Sequence, residues 1–134
     1  MRKLVLVILL INAITLVRAE DILKIKDIRS AVKSVEREEI LNYFQKIENK
    51  KVEKETGHIT GVKEGDATSD IVYVEMDRPK INNLEPDLFF YLDKRISSRL
   101  SELQMIYFDA KIVGYDLSLD MIEVSDVYLS GIMR

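Results

Sequence analysis

Tyr73, Phe89 and Tyr91 are the residues of this sequence whose types and spacing best suit ligand chemistry. The segment Ile71 to Met76 is rich in β-branched residues and Leu88 to Leu92 is a short apolar run, so both read as strands. Successive strand residues point to opposite faces. Val72, Val74, Met76, Leu88, Phe90 and Leu92 would therefore fill an interior, leaving Tyr73, Glu75, Phe89 and Tyr91 together outside. Rings on adjacent strands can stack bases or sugars, each stacked base contributing roughly 1–3 kcal/mol. The same rings have a second reading. The preceding helical segment carries an apolar stripe with Tyr43, Phe44 and Ile47, and that stripe could bury itself on the aromatics as a second small core.

The other polar constellations read as ordinary structure. His58 is the one histidine, and a lone imidazole cannot supply the ligand cluster of a zinc site, so it reads as a surface or edge residue. Ser30-Ala31-Val32-Lys33 has the Ser-x-x-Lys spacing of a serine nucleophile, yet neither Lys-Thr-Gly nor Ser-Asp-Asn follows. Asp116-x-Ser118-x-Asp120 begins like a calcium loop. The positions such a loop gives to glycine and a bidentate glutamate hold Met121 and Val127, so the segment reads as a hairpin turn. Among Asp66, Asp70, Glu75, Asp77 and Asp87, two could approach as a glycosidase pair does, but nothing marks any of them and they read as solvated loop acids. The chain has no cysteine, which excludes disulfides, thiolate nucleophiles and Cys-ligated metals. No cofactor, no metal and no catalytic residue is expected.

Charge and the first residues narrow the setting. Arg2 and Lys3 precede an apolar stretch from Leu4 to Val17, and Val17-Arg18-Ala19 suits a cut, so residues 1–19 read as a secretory signal peptide. The stretch is shorter than the roughly 20 apolar residues of a spanning helix, so no stable membrane span is expected after cleavage. Cleavage would also remove three cations, Arg2, Lys3 and Arg18, from a chain whose formal charge is already −3. Nucleic acid is thus an unlikely partner, because that binding rests on Lys and Arg neutralising phosphates. The basic spots Lys50-Lys51-Lys54 and Lys94-Arg95-Arg99 are each offset by neighbouring acids. Export without cysteine points to a secreted or periplasmic protein of a bacterial envelope.

Positioning the aromatics requires a set of strands. Ile28, Val32, Val35, Ile40, Tyr43, Phe44 and Ile47 recur at helical spacing, giving one helix or two within residues 20–50, with Glu36-Arg37-Glu38-Glu39 as the place for a break. From 51 to 130 the period is two. A long, bent first strand contains Gly57 and Gly61, which suit a bulge or a sharp coil. The strands at 71–76 and 88–92 follow, then a short helix from Ser97 to Leu103, a strand from Ile106 to Tyr115, a turn at 116–120 and a last strand from Met121 to Leu129. In that last strand Ile122 and Val124 share one phase and Val127 and Leu129 the other, which predicts a bulge near Asp126. A leading helix, three strands, a helix and two strands is the order of the OB-fold, a five-stranded Greek-key barrel.

The segments GHITGV at 57–62, Pro86 to Gly114, and YFDAKIVGYDLSLDMIEVSDVYL at 107–129 together resemble the small secreted OB-fold proteins grouped as tRNA_anti-like. The resemblance implies the barrel and says little about activity. The expectation is an exported, non-catalytic binding module for a glycan, a peptide or a protein partner, acting through Tyr73, Phe89 and Tyr91. A nucleic-acid-binding OB domain and a small hydrolase using loop carboxylates are the alternatives.

Overall fold

The structure is a computed structural model that describes residues 22–77 and 84–133. The expected leader, and Pro79 with Asn82-Asn83 of the loop after the second barrel strand, lie outside the described residues.

The chain runs through β1 (Ile22–Leu23), α1 (Ile25–Ser34), a 3-10 turn (Arg37–Glu39) and α2 (Ile40–Ile47). It continues through β2 (Lys51–Glu64), β3 (Ser69–Glu75), β4 (Leu88–Asp93), α3 (Lys94–Ser97), β5 (Met105–Asp116) and β6 (Met121–Met133). Strands β2, β3, β4, β6 and β5 pair in that order, and β5 returns to β2. Within the barrel the pairs are antiparallel except β4 with β6, which run parallel at Leu88–Ile122 and Phe89–Glu123, and outside it the short β1 runs parallel to the start of β2. The result is a closed five-stranded barrel of OB-fold type with a short helix between its third and fourth strands.

Closure depends on the bending of β2. Its first half pairs with β5 and its second half with β3, with a register break on each side of the exchange. The first break carries Lys54 at φ 54°, where its N–H donates to the Asp109 carboxylate at 2.8 Å. The second falls between Ile59 and Gly61. There the Ile59 N–H bonds Gln104 O at 2.9 Å and Ile59 O accepts from Leu103 N–H at 2.7 Å, so the segment after α3 covers the gap. The bulge expected near Asp126 is present: the β5–β6 register slips between Asp109 and Lys111, and Asp126 has φ 50°.

Alternation places Val52, Ile59, Val72, Val74, Leu88, Phe90, Ile106, Phe108 and Ile112 fully inside. Phe90 and Phe108 meet at 6.3 Å across the interior. The expected short helix is moved toward the N-terminus, beginning at Lys94, because Asp93 caps it by accepting the Arg95 N–H at 2.8 Å.

The helical segment breaks at Val35–Glu36, where extended backbone ends α1, and its two halves take different jobs. α1 closes one mouth of the barrel. Ile25 and Ile28 are buried in the common core, and the Ile25 N–H donates to Glu55 Oε1 at 3.0 Å. Burial raises the Glu55 carboxyl above its usual range despite that bond. α2 packs on β5, with Phe44 5.2 Å from the Tyr115 ring and Tyr43 set edge-on to Phe44.

Candidate functional site

The helical stripe does not form a lid over the outer aromatics. Phe44 and Ile47 are buried, but Phe44 meets Tyr115. Tyr73 is half-buried and Tyr91 is 54 % exposed. Phe89 is on the expected face between them, its ring 6.3 Å from Tyr73 and 6.4 Å from Tyr91, yet only 5 % of it reaches solvent. Phe89 therefore holds the two tyrosines in place rather than offering a contact surface of its own. The three residues are brought together in one row across β3 and β4, in the register Tyr73–Phe89 and Ile71–Tyr91.

Tyr73 forms one wall of a groove of about 250 Å³. β2 supplies Thr60, Gly61 and Lys63; the end of the loop before β4 supplies Leu84 and Pro86; the β5–β6 connection supplies Leu119 and Met121. Each wall follows from local structure. The β2 bulge turns Gly61 outward opposite Tyr73, and a Cβ there would meet no atom within 4 Å, so backbone is open to an approaching chain. Asp116 Oδ1 accepts the Ser118 and Leu119 N–H groups at 2.9 and 3.0 Å, fixing the turn that presents Leu119. These bonds, with the Ser118 hydroxyl at 2.6 Å, hold the Asp116 carboxyl below its usual range.

Lys63 changes the chemistry of Tyr73. Its ammonium is 5.5 Å from the ring centroid, so one ring face is already engaged in a cation–π contact. The groove thus presents a cation beside an aromatic edge, with aliphatic and thioether walls. Leu119, Met121 and Lys63 were not among the residues singled out by sequence. Two leucines, Leu117 and Leu119, in a turn otherwise made of Asp116, Ser118 and Asp120 were the available signal.

Of the acids singled out by sequence, Asp66, Asp70, Asp77 and Asp87 are engaged. Asp66 accepts the Thr68 and Ser69 N–H groups at 2.8 and 2.7 Å, which lowers its pKa. Asp70 accepts from the Ser97 hydroxyl at 2.7 Å and lies 3.5 Å from Lys94. Asp77 and Asp87 share Arg29, at 2.8 and 3.2 Å. The guanidinium holds Asp77 low, whereas burial pushes Asp87 up. Arg29 and Asp87 line a smaller cleft of about 190 Å³ with Val32, Lys33, Tyr115, Asp120 and Ile122, between α1 and the start of β6. Glu75 is 9 % exposed, and its Oε2 makes no hydrogen bond; the same is true of the buried Nδ1 of His58. Among the described residues no three His, Cys, Asp or Glu side chains cluster in a way that could hold a metal, and no helix is long and apolar enough to cross a membrane.

Set against family models, curated proteins and solved structures, the chain finds no match in any of the three.

Proposed function

We propose that the chain is an exported, non-catalytic binding module whose ligand is an extended peptide segment of a partner protein, taken in the groove beside Tyr73. The observation that carries this is the groove's composition: Leu84, Pro86, Leu119 and Met121 supply apolar walls, Gly61 leaves backbone open, and one cation, Lys63, stands at Tyr73. Apolar walls with a few placed polar groups suit a side chain entering from an extended segment, and Lys63 favours an acidic residue next to it. Lys63 engages one face of Tyr73, which leaves less of that ring for a sugar to stack on. The OB-type barrel supports a binding role, and the acid excess argues against nucleic acid.

The test is a display library of extended peptides, with glycans and single-stranded DNA as parallel arms. Selected peptides should pair an apolar residue with an acidic one, and Tyr73→Ala or Leu119→Ser should each weaken them by at least about tenfold. Both variants should keep the parent's circular dichroism. Binding of DNA that falls steeply with salt, or of a glycan, with no peptide selected, would overturn the reading.

A further inference from the structure

On the face away from the core, one row of side chains crosses four strands. His58 of β2 is paired with Glu75 of β3 on one side and with Met105 of β5 on the other, and Met105 is paired in turn with Met133 of β6. Gly57, Ile59 and Ile106 are buried on the inner face, so alternation puts His58 and Met105 outside. Directly opposed residues have Cβ atoms roughly 4.5–5.5 Å apart. We propose that His58, Met105 and Met133 form a site for a monovalent soft metal ion, Cu(I) or Ag(I), with Glu75 as its charge-balancing neighbour.

Three observations lead there. The first is the pair of unsatisfied atoms: His58 Nδ1 and Glu75 Oε2 are both buried without a hydrogen bond, on residues that face each other across two strands. A buried polar atom left without a partner is unfavourable. The two atoms do not bond each other, and with the imidazole proton on Nε2 both are acceptors, an arrangement that suits a cation.

The second is what stands on the other side of His58. Thioethers are weak hydrogen-bond acceptors and soft ligands, so two of them in line with an imidazole favour Cu(I) or Ag(I) over water or a hard ion. The Met133 sulfur is held in place, because the Tyr107 hydroxyl donates to Sδ at 3.2 Å. Tyr107 is itself packed over Gly131, where a Cβ would come within 3.2 Å of its ring. Met133 is half-exposed, which leaves the site open to exchange with solvent or a donor.

The third is charge. Arg29 lies close enough to Glu75 to feel its charge, but it is bonded to Asp77 and Asp87 and so does not by itself balance that carboxylate. An imidazole and two thioethers are neutral, and a site of that kind suits a single positive charge better than two. This site is separate from the groove beside Tyr73.

The experiment is anaerobic titration of the full chain with Cu(I) against a chromogenic Cu(I) chelator, repeated with Ag(I). One equivalent should bind, and X-ray absorption should show one nitrogen and two sulfur scatterers. His58→Ala and Met105→Leu should each weaken binding by more than the roughly 10–100-fold typical of losing a second-shell partner. Tyr73→Ala should leave it unchanged, which separates this test from that of the groove. Met105→Leu conserves volume and guards against misfolding as the cause of a loss. The proposal is overturned if no one-to-one complex forms, if both variants bind like the parent, or if Zn(II) displaces Cu(I).

Discussion

At the scale of single residues, the two glycines of β2 do different work. Gly61 is at the bulge where the strand coils, yet its backbone lacks positive φ and a Cβ would enter open space. Gly61 therefore tolerates a side chain, and the sensitive position of the strand is Gly57. A Cβ at Gly57 would collide with Val74 Cγ1 and sit 3.3 Å from Glu75 O, because β3 crosses tightly beneath it. Gly57→Ala should destabilise by about 1–3 kcal/mol, the usual cost of overpacking a filled core. Gly61→Ala should leave the denaturation midpoint within about 0.5 kcal/mol of the parent. Chemical denaturation of both variants checks the contrast, and equal midpoints would show that β3 yields to the methyl group. Phe89 teaches a related lesson. Its phase was legible in the alternation of β4, but burial on an outer face depends on flanking rings from β3 and β4, and a one-dimensional pattern does not carry that.

Elements add what residues alone do not show. The stripe over Ile28 to Ile47 was readable as helix, and Glu36 to Glu39 as the place for a break, but the targets of the two halves were not. α1 is directed by partners 30 to 58 residues away, with Glu55 meeting its first N–H and Arg29 reaching Asp77 and Asp87. α3 shows how one carboxylate sets an element's start. Asp93 accepts from the Arg95 backbone and guanidinium at 2.8 and 3.0 Å, which holds its pKa at about 2 against an ordinary 3.8. A pKa lower in the folded state means that the charged cap supports folding fully above about pH 4, and that this support fades as pH falls toward 2. Asp93→Asn keeps a capping oxygen and loses the charge. It should melt slightly below the parent at pH 5, and the gap should narrow as pH falls toward 2 and the folded-state carboxyl takes up its proton. A midpoint difference that persists undiminished at pH 2 would place the effect in packing instead. Buried Asp87 pulls the opposite way: its raised pKa favours the folded state as it takes up a proton, which blunts the parent's acid unfolding.

The molecule as a whole was legible where alternation and turns speak for themselves. The five barrel strands, the bulge at Asp126 and the 116–120 turn could be read from Val, Ile and Phe phases. The groove and the His58 row could not, because both are made by register. Thr60, Tyr73 and Leu119 are separated by 13 and 46 residues, and nothing local joins His58 to Met133. The same closure has a consequence for cooperativity. With no cysteine to staple any part, α1, α2 and all five barrel strands share one apolar cluster, so α1 has no core of its own to unfold into. Ile28 is 1 % exposed at the barrel mouth, and Ile28→Ala should cost about 2–5 kcal/mol. If α1 is part of that single unit, the loss appears as one transition shifted to lower denaturant, with far-ultraviolet dichroism and tyrosine fluorescence still coincident. A helical signal that melts ahead of the tyrosines on β3 and β5 would instead make α1 a detachable plug, with the barrel stable beneath it.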